Sequence, residues 1–234
     1  ILRIAWSTRE APAKTLTAGS GSARDTQVHL SEFAVTRLHC FRRRAALHLA
    51  PITLVFGQNN AGKSTLLRAM SLLAASVGSP TSAALDLSCE AARGANYHDL
   101  RSRHDLTNEM TFDVSWESDD AVAANFTVRL MEEPGGGHVV KALSFSDATH
   151  AVDLQVSTEL VGVYELVRDR AVGWSGVVPF EGIKPCSGYG QTDQLRAALE
   201  HLGDHLGRLQ KSVQWLAAVR HPAPRKQQIM RGET

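Results

Sequence analysis

The sequence predicts an α/β protein with a strand–loop–helix core, an antiparallel β lobe and a long C-terminal helix. Three observations predict it. The stretch Gly57-Gln58-Asn59-Asn60-Ala61-Gly62-Lys63-Ser64-Thr65 lies between the apolar run Ile52-Thr53-Leu54-Val55-Phe56 and a helical pattern of apolar residues. From Met110, short segments alternate apolar and polar side chains at period two. From Thr192, apolar residues recur at steps of four and three, the spacing of a single helix face.

Taken in chain order, residues 1–27 differ from the rest. Ile1 stands first, and residues 7–26 are rich in Ser, Thr, Ala and Gly, with no apolar h-region of a signal peptide. They read as a flexible leader or an upstream translated stretch, with the natural start near Val28-His29-Leu30. Residues 28–109 read as the core. Phe33 and Val35 alternate within one expected strand, and residues 45–49 form another, both at the edge of the core. Pro51 separates them from the 52–56 run, whose continuous apolar character suits a buried parallel strand. Leu66, Leu67, Met70, Leu73 and Val77 then follow at helical spacing, before the small-residue linker 78–82.

Residues 110–190 form the expected antiparallel lobe. Phe112, Val114 and Trp116 alternate, as do Phe126, Val128 and Leu130; Pro134-Gly135-Gly136-Gly137 marks a turn before 139–145 and 152–156. Residues 191–219 read as an amphipathic helix. Leu195, Leu199, Leu202, Leu206, Leu209, Val213 and Leu216 make a three-heptad seam, suited to a pairing helix or to one packed on its own domain. Gly203 and Gly207 weaken an isolated coil. Residues 220–234 are a basic tail carrying Arg220, Arg225, Lys226 and Arg231.

The 57–65 stretch is a complete G-x-x-x-x-G-K-[ST] phosphate-binding loop, in the strand–loop–helix order such a loop requires. Gly57 and Gly62 permit backbone angles and close approach that a Cβ would block. The N–H groups of the loop, through Asn59, Asn60 and Ala61, then surround phosphate oxygens, and the helix start adds its positive dipole end. Lys63 is the catalytic candidate, a point charge for the β- and γ-phosphates. Ser64 is the candidate Mg²⁺ ligand, and Thr65 caps the loop or contacts the α-phosphate.

Composition narrows the class. The chain has 234 residues, a net charge of +1, 21% charged and 43% hydrophobic residues, so its overall charge gives no reason to expect nucleic acid or membrane as a partner. No apolar run approaches membrane-spanning length. Cys40, Cys89 and Cys186 are odd in number and form no C-x-x-C pair, which suits free thiols in a reducing cytosol. His201 and His205 lie four apart with Asp204 beside them, a zinc-binding spacing, but no Glu completes an HExxH motif and the sequence offers no obvious third ligand. No G-x-S-x-G elbow supports a hydrolase triad.

Phe41-Arg42, the 52–56 run and the loop through Leu66-Leu67 resemble the ABC-type ATPases of the RecF/SMC/OLD group, within the wider AAA class. Asn59, third in the loop, is the mark that separates them from GTPases and kinases. Tyr97-His98-Asp99-Leu100 with Arg103-His104, and residues 213–225, are similar to two further segments of that group. The resemblance implies an ABC-type core that binds ATP and Mg²⁺, with Phe41 bordering the adenine and Arg42 near the nucleotide; Phe41 as core and Arg42 to Arg44 as a solvated run is the equal alternative. It places a counterpart of the family's Q-loop glutamine around residues 99–103. It further implies a homodimer or partner head, DNA-linked work in repair, chromosome handling or anti-phage defence with a nuclease partner, and a cytoplasmic location away from the membrane.

The departures from that pattern are specific. No Asp-Glu dipeptide, the acidic pair of a Walker B strand, occurs in the chain. A signature motif and a switch histidine are also absent, and Ser187-Gly188-Tyr189-Gly190-Gln191 is only a near miss. The expectation is therefore the N-terminal half of an ATPase head. The alternative is a module that binds ATP without hydrolysing it; a P-loop kinase or GTPase is a weaker one, lacking an arginine lid or an N/T-K-x-D motif.

Overall fold

A computed structural model of the chain describes residues 3–4, 28–81, 83–102, 107–118, 124–133, 135–158, 162–168, 171–188 and 191–216. The leader expectation, and that for the basic tail, thus fall almost wholly outside the described residues. In chain order the elements are β1 (Arg3–Ile4), β2 (His29–Thr36), β3 (Ala45–His48), β4 (Val55–Phe56), α1 (Lys63–Ala75), α2 (Tyr97–Leu100) and β5 (Glu109–Glu117). There follow β6 (Ala124–Glu132), β7 (His138–Ser146), β8 (Ala151–Val156), β9 (Tyr164–Arg168), β10 (Ala171–Gly176), β11 (Phe180–Glu181), β12 (Lys184–Pro185) and α3 (Asp193–Ser212).

Eight strands make one sheet in the order β10-β9-β8-β7-β6-β5-β2-β3, and every neighbouring pair is antiparallel. Register follows from period two. Phe33 pairs with Val114 and Val35 with Phe112 across β2 and β5; Phe112 then pairs with Val128, and Val128 with Leu143. One face thereby collects Phe33, Phe112, Phe126 and Leu143, all essentially inaccessible to solvent. Burying each contributes about 1.5–3 kcal/mol of hydrophobic free energy. The opposite face is charged: Glu109 pairs with Arg37 and Lys141, and Arg44 with Glu32 and Asp113.

The helices α1 and α3 supply the second layer. Leu66, Leu72 and Leu73 of α1 and Leu195, Leu199, Leu202, Leu206 and Leu209 of α3 join the apolar sheet face in one continuous core. The heptad seam is spent within the domain, so the helix packs on its own fold. Leu216, beyond the helix end, is 73% exposed. Gln210 Nε2 donates to the Val77 carbonyl at 2.7 Å and ties α3 to the segment after α1.

The α/β expectation of an ABC-type core built on a strand–loop–helix is overturned by this architecture. The 52–56 run was expected to be a buried parallel strand; only Val55–Phe56 is extended, and it pairs antiparallel with β1. Ile52 is 83% and Leu54 69% exposed. No parallel strand pair occurs among the described residues. The physical reason lies in what a continuous apolar run requires. Such a strand is buried on both faces only where parallel neighbours and covering helices flank it. Here β2 and β3, expected at the edge of the core, instead extend the antiparallel sheet, because Phe33 and Val35 complete the apolar face of β5.

Candidate functional site

The loop between β4 and α1 is shaped by two glycines. Gly57 and Gly62 take φ of 153° and 89°, and Asn60 is left-handed at 63°, a conformation asparagine tolerates. Gly62 is the N-cap of α1 and offers no side-chain cap. A Cβ there would lie 2.5 Å from Phe41 Cζ and 2.7 Å from Cys40 Sγ, so the missing side chain lets the 40–41 turn close over the loop. Helix α1 starts when Leu66 N donates to Gly62 O at 2.9 Å. The earlier N–H groups of its first turn have no intrahelical acceptor, which leaves donors for an anion.

Lys63 points back into the loop. Its Nζ donates to the carbonyls of Gly57 and Gln58, both at 2.7 Å. An ammonium carries three donors, so one remains for a further acceptor. Ser64 is exposed on the first turn of α1, and Thr65 is half-buried behind it. Asn59, Asn60, Gly62, Lys63, Ser64 and Thr65 line a cavity of about 940 Å³. Gly57 and Ala61 are not among its lining residues.

The cavity walls come from elsewhere in the chain. Leu38 bridges to both Phe41 and Arg101, His39 N donates to Leu100 O at 2.7 Å, and Ser102 N donates to Arg37 O at 2.9 Å. These bonds clamp the 38–41 turn to α2 and its exit, bringing His39, Cys40, Asp99 and Arg101 beside the loop. Arg101 donates to Asn108 Oδ1 and contacts His98 Nδ1 at 3.1 Å, while its buried Nε has no partner among the described residues. Arg68, one turn along α1, donates from Nε to Ser64 O at 3.1 Å and also faces the cavity. Burial, and then the nearby charge of Arg93, hold its guanidinium below the ordinary value; an arginine stays charged nonetheless. Asp99 serves as a cap: its Oδ2 accepts from Asn96 N at 3.2 Å, and its own N–H donates to Asn96 Oδ1 at 2.9 Å.

The structure therefore brings most of the predicted loop residues together and seats Phe41, half-buried, against Gly62. Arg42 is exposed and lies outside the cavity lining. Of the 99–103 segment, Asp99 and Arg101 face the cavity, while Arg103 lies outside the described residues. Sequence reasoning missed His39, Cys40 and Arg68. Arg68 had a signal, since it follows Ser64 by one helical turn. His39 and Cys40 had none, because their approach depends on the clamp to Leu100. Among the described residues, no helix is long and apolar enough to cross a membrane.

The cavity thus has a floor of backbone N–H groups and a lysine, cationic walls, and one carboxylate already engaged in a cap. Such a donor set takes a polyanion. No protein-family model matches the chain, and no curated protein matches it.

Proposed function

We propose that the chain binds ATP with Mg²⁺ at the 57–65 loop, as the resemblance to RecF/SMC/OLD-like ATPases implies. The single observation that carries this reading is Lys63, folded onto the carbonyls of its own loop at the floor of a cavity whose walls hold Arg68 and Arg101. The residues fit a triphosphate. Gly62 leaves room where a Cβ would stand, the first turn of α1 turns N–H groups outward, and Arg101 Nε is a buried donor without an acceptor among the described residues. Lys63 would hold the β- and γ-oxygens, and Arg68 and Arg101 would neutralise the remaining charge. Ser64 would give Mg²⁺ one hydroxyl ligand, the ion keeping waters and phosphate oxygens for the rest. Bound there, the ion would neutralise phosphate charge.

Pairing with a second copy or a partner head, DNA-linked work with a nuclease partner, and a cytoplasmic setting belong to the same proposal and rest on the resemblance alone.

A second reading, ATP binding without hydrolysis, is favoured by one observation. Asp99 is the carboxylate lining the cavity among the described residues, and it is held as a helix cap. Among the described residues the cavity lining holds no second carboxylate to orient water, and the sequence has no Asp-Glu pair. Titration of a fluorescent ATP analogue tests the main reading. Lys63→Ala is expected to weaken binding about ten- to hundredfold, the loss of a charge-assisted contact. Equal affinity in the two proteins sinks it. Steady-state turnover separates the readings, since Lys63-dependent phosphate release by the chain alone excludes the second.

A further inference from the structure

Three histidine and aspartate side chains far from the loop converge at the end of the β7–β8 hairpin. Asp147 and His150 flank the tight turn between the strands, closed by Asp147 N donating to His150 O at 2.8 Å. His201 reaches the same point from the middle of α3. One donor atom from each of the three lies within 4.8 Å of the others. The rings of His150 and His201 are 4.1 Å apart between centroids and tilted by 41°.

The carboxylate is fixed before any ion arrives. Asp147 Oδ1 accepts from Thr149 N at 2.7 Å, from the Thr149 hydroxyl at 3.0 Å and from His150 N at 2.7 Å. That saturates one oxygen and aims the other, Oδ2, at His201 Nδ1, 3.4 Å away. A charge-assisted hydrogen bond between imidazolium and carboxylate closes to about 2.7–2.9 Å. The observed gap is too long for that. It matches the donor–donor edge of roughly 3.4 Å that a tetrahedral ion with bonds of about 2.0–2.2 Å sets between two ligands. The Thr149 hydroxyl has one proton and gives it to Asp147, so its 2.7 Å contact with His150 Nδ1 makes that nitrogen the donor. His150 Nδ1 also lies 3.5 Å from Asp147 Oδ1, so the hairpin holds the ring beside the carboxylate, as contacts behind a ligating imidazole orient it.

We propose that Asp147, His150 and His201 form a site for a divalent transition ion of the zinc class, which clips α3 to the β7–β8 hairpin. Two imidazoles and a carboxylate suit a borderline ion better than Mg²⁺ or Ca²⁺. His201 is half exposed, so the ion has a path in and a coordination position left for water. The helical pair His201 and His205 is not the site. His205 turns inward, its ring 5.0 Å from that of Trp116 and 5.7 Å from that of Phe145. Two of the three ligands, Asp147 and His150, come from the hairpin in place of His205.

The test uses the full chain with any affinity tag removed and metals stripped by chelator. Titration with Zn²⁺ is expected to give one equivalent per chain, and Co²⁺ the visible absorption of a tetrahedral site. Zn²⁺ should raise the unfolding midpoint, as any ligand of the native state does. His201→Gln, on a solvent-facing helix position, should weaken uptake at least about tenfold and abolish the midpoint shift while leaving the metal-free midpoint in place. His29→Gln and Lys63→Ala should bind as the parent does, which separates this site from the nucleotide loop. Absence of Zn²⁺ uptake by the folded parent, or undiminished uptake by His201→Gln, overturns the proposal.

Discussion

At the scale of single residues, the site depends on a side chain that is not there. Gly62 has φ of 89°, and a Cβ would fall within 3.0 Å of both Phe41 and Cys40. Gly62→Ala combines left-handed strain of about 1–2 kcal/mol with a clash that must displace the 40–41 turn. We expect a destabilisation of at least 1–2 kcal/mol in urea unfolding, accompanied by weaker nucleotide binding. A variant with the parental midpoint would show that the turn yields at no cost. The loop glycines, Lys63 and Ser64 were legible as a motif because their residue types stand at fixed spacing along the chain. Arg68 lay one turn beyond the motif and was passed over. Asp147 and His150 were illegible as ligands: nothing at residues 147–150 announces a partner some fifty positions later.

At the scale of elements, α1 and α3 begin differently, and the difference suits their roles. Helix α1 has Gly62 as N-cap and no side-chain acceptor, so its first N–H groups stay open toward the cavity. Helix α3 is closed: Thr192 Oγ1 accepts from Leu195 N at 3.3 Å, and Asp193 adds negative charge to the first turn. Thr192→Ala should cost about 1 kcal/mol and lower the thermal midpoint by about 2–4 °C. A calorimetric scan checks this, and an unchanged midpoint would mean that packing alone holds the helix start. The seam of α3 was legible as a period, and packing on its own domain was one of the two readings it allowed; which surface covers it was not. A leucine stripe carries no information about which apolar surface covers it. Only the matching face of β5 to β8, with α1 beside it, decided that.

At the scale of the molecule, stability depends on a core that holds a neutral histidine. His138, on β7, is buried against Tyr97, ring centroids 5.0 Å apart, and its Nε2 donates to Leu85 O at 3.2 Å. Burial pulls its pKa below the ordinary value, against the raising effects of the Leu85 carbonyl and of Glu132. The unfolded chain then binds the proton more readily than the folded one, so stability is full above about pH 6.5 and falls as the pH drops below it. Urea midpoints at pH 7.5 and 5.5 should show the loss, and His138→Gln should reduce it, leaving the part that comes from His205, whose pKa burial also lowers; an equally steep profile in the variant would assign the dependence to other groups. The antiparallel strands 109–117, 124–132 and 138–146 were readable because period two is set by local side-chain alternation. The sequence by itself determined that alternation, the residue types and spacing of the 57–65 loop, and the α3 stripe, all properties of neighbours along the chain. Only the tertiary structure decided that β2 and β3 join the antiparallel sheet, that the 52–56 run stands largely exposed, and that a hairpin turn meets His201. Those outcomes depend on which surfaces find each other across long separations, and local pattern does not encode the partner.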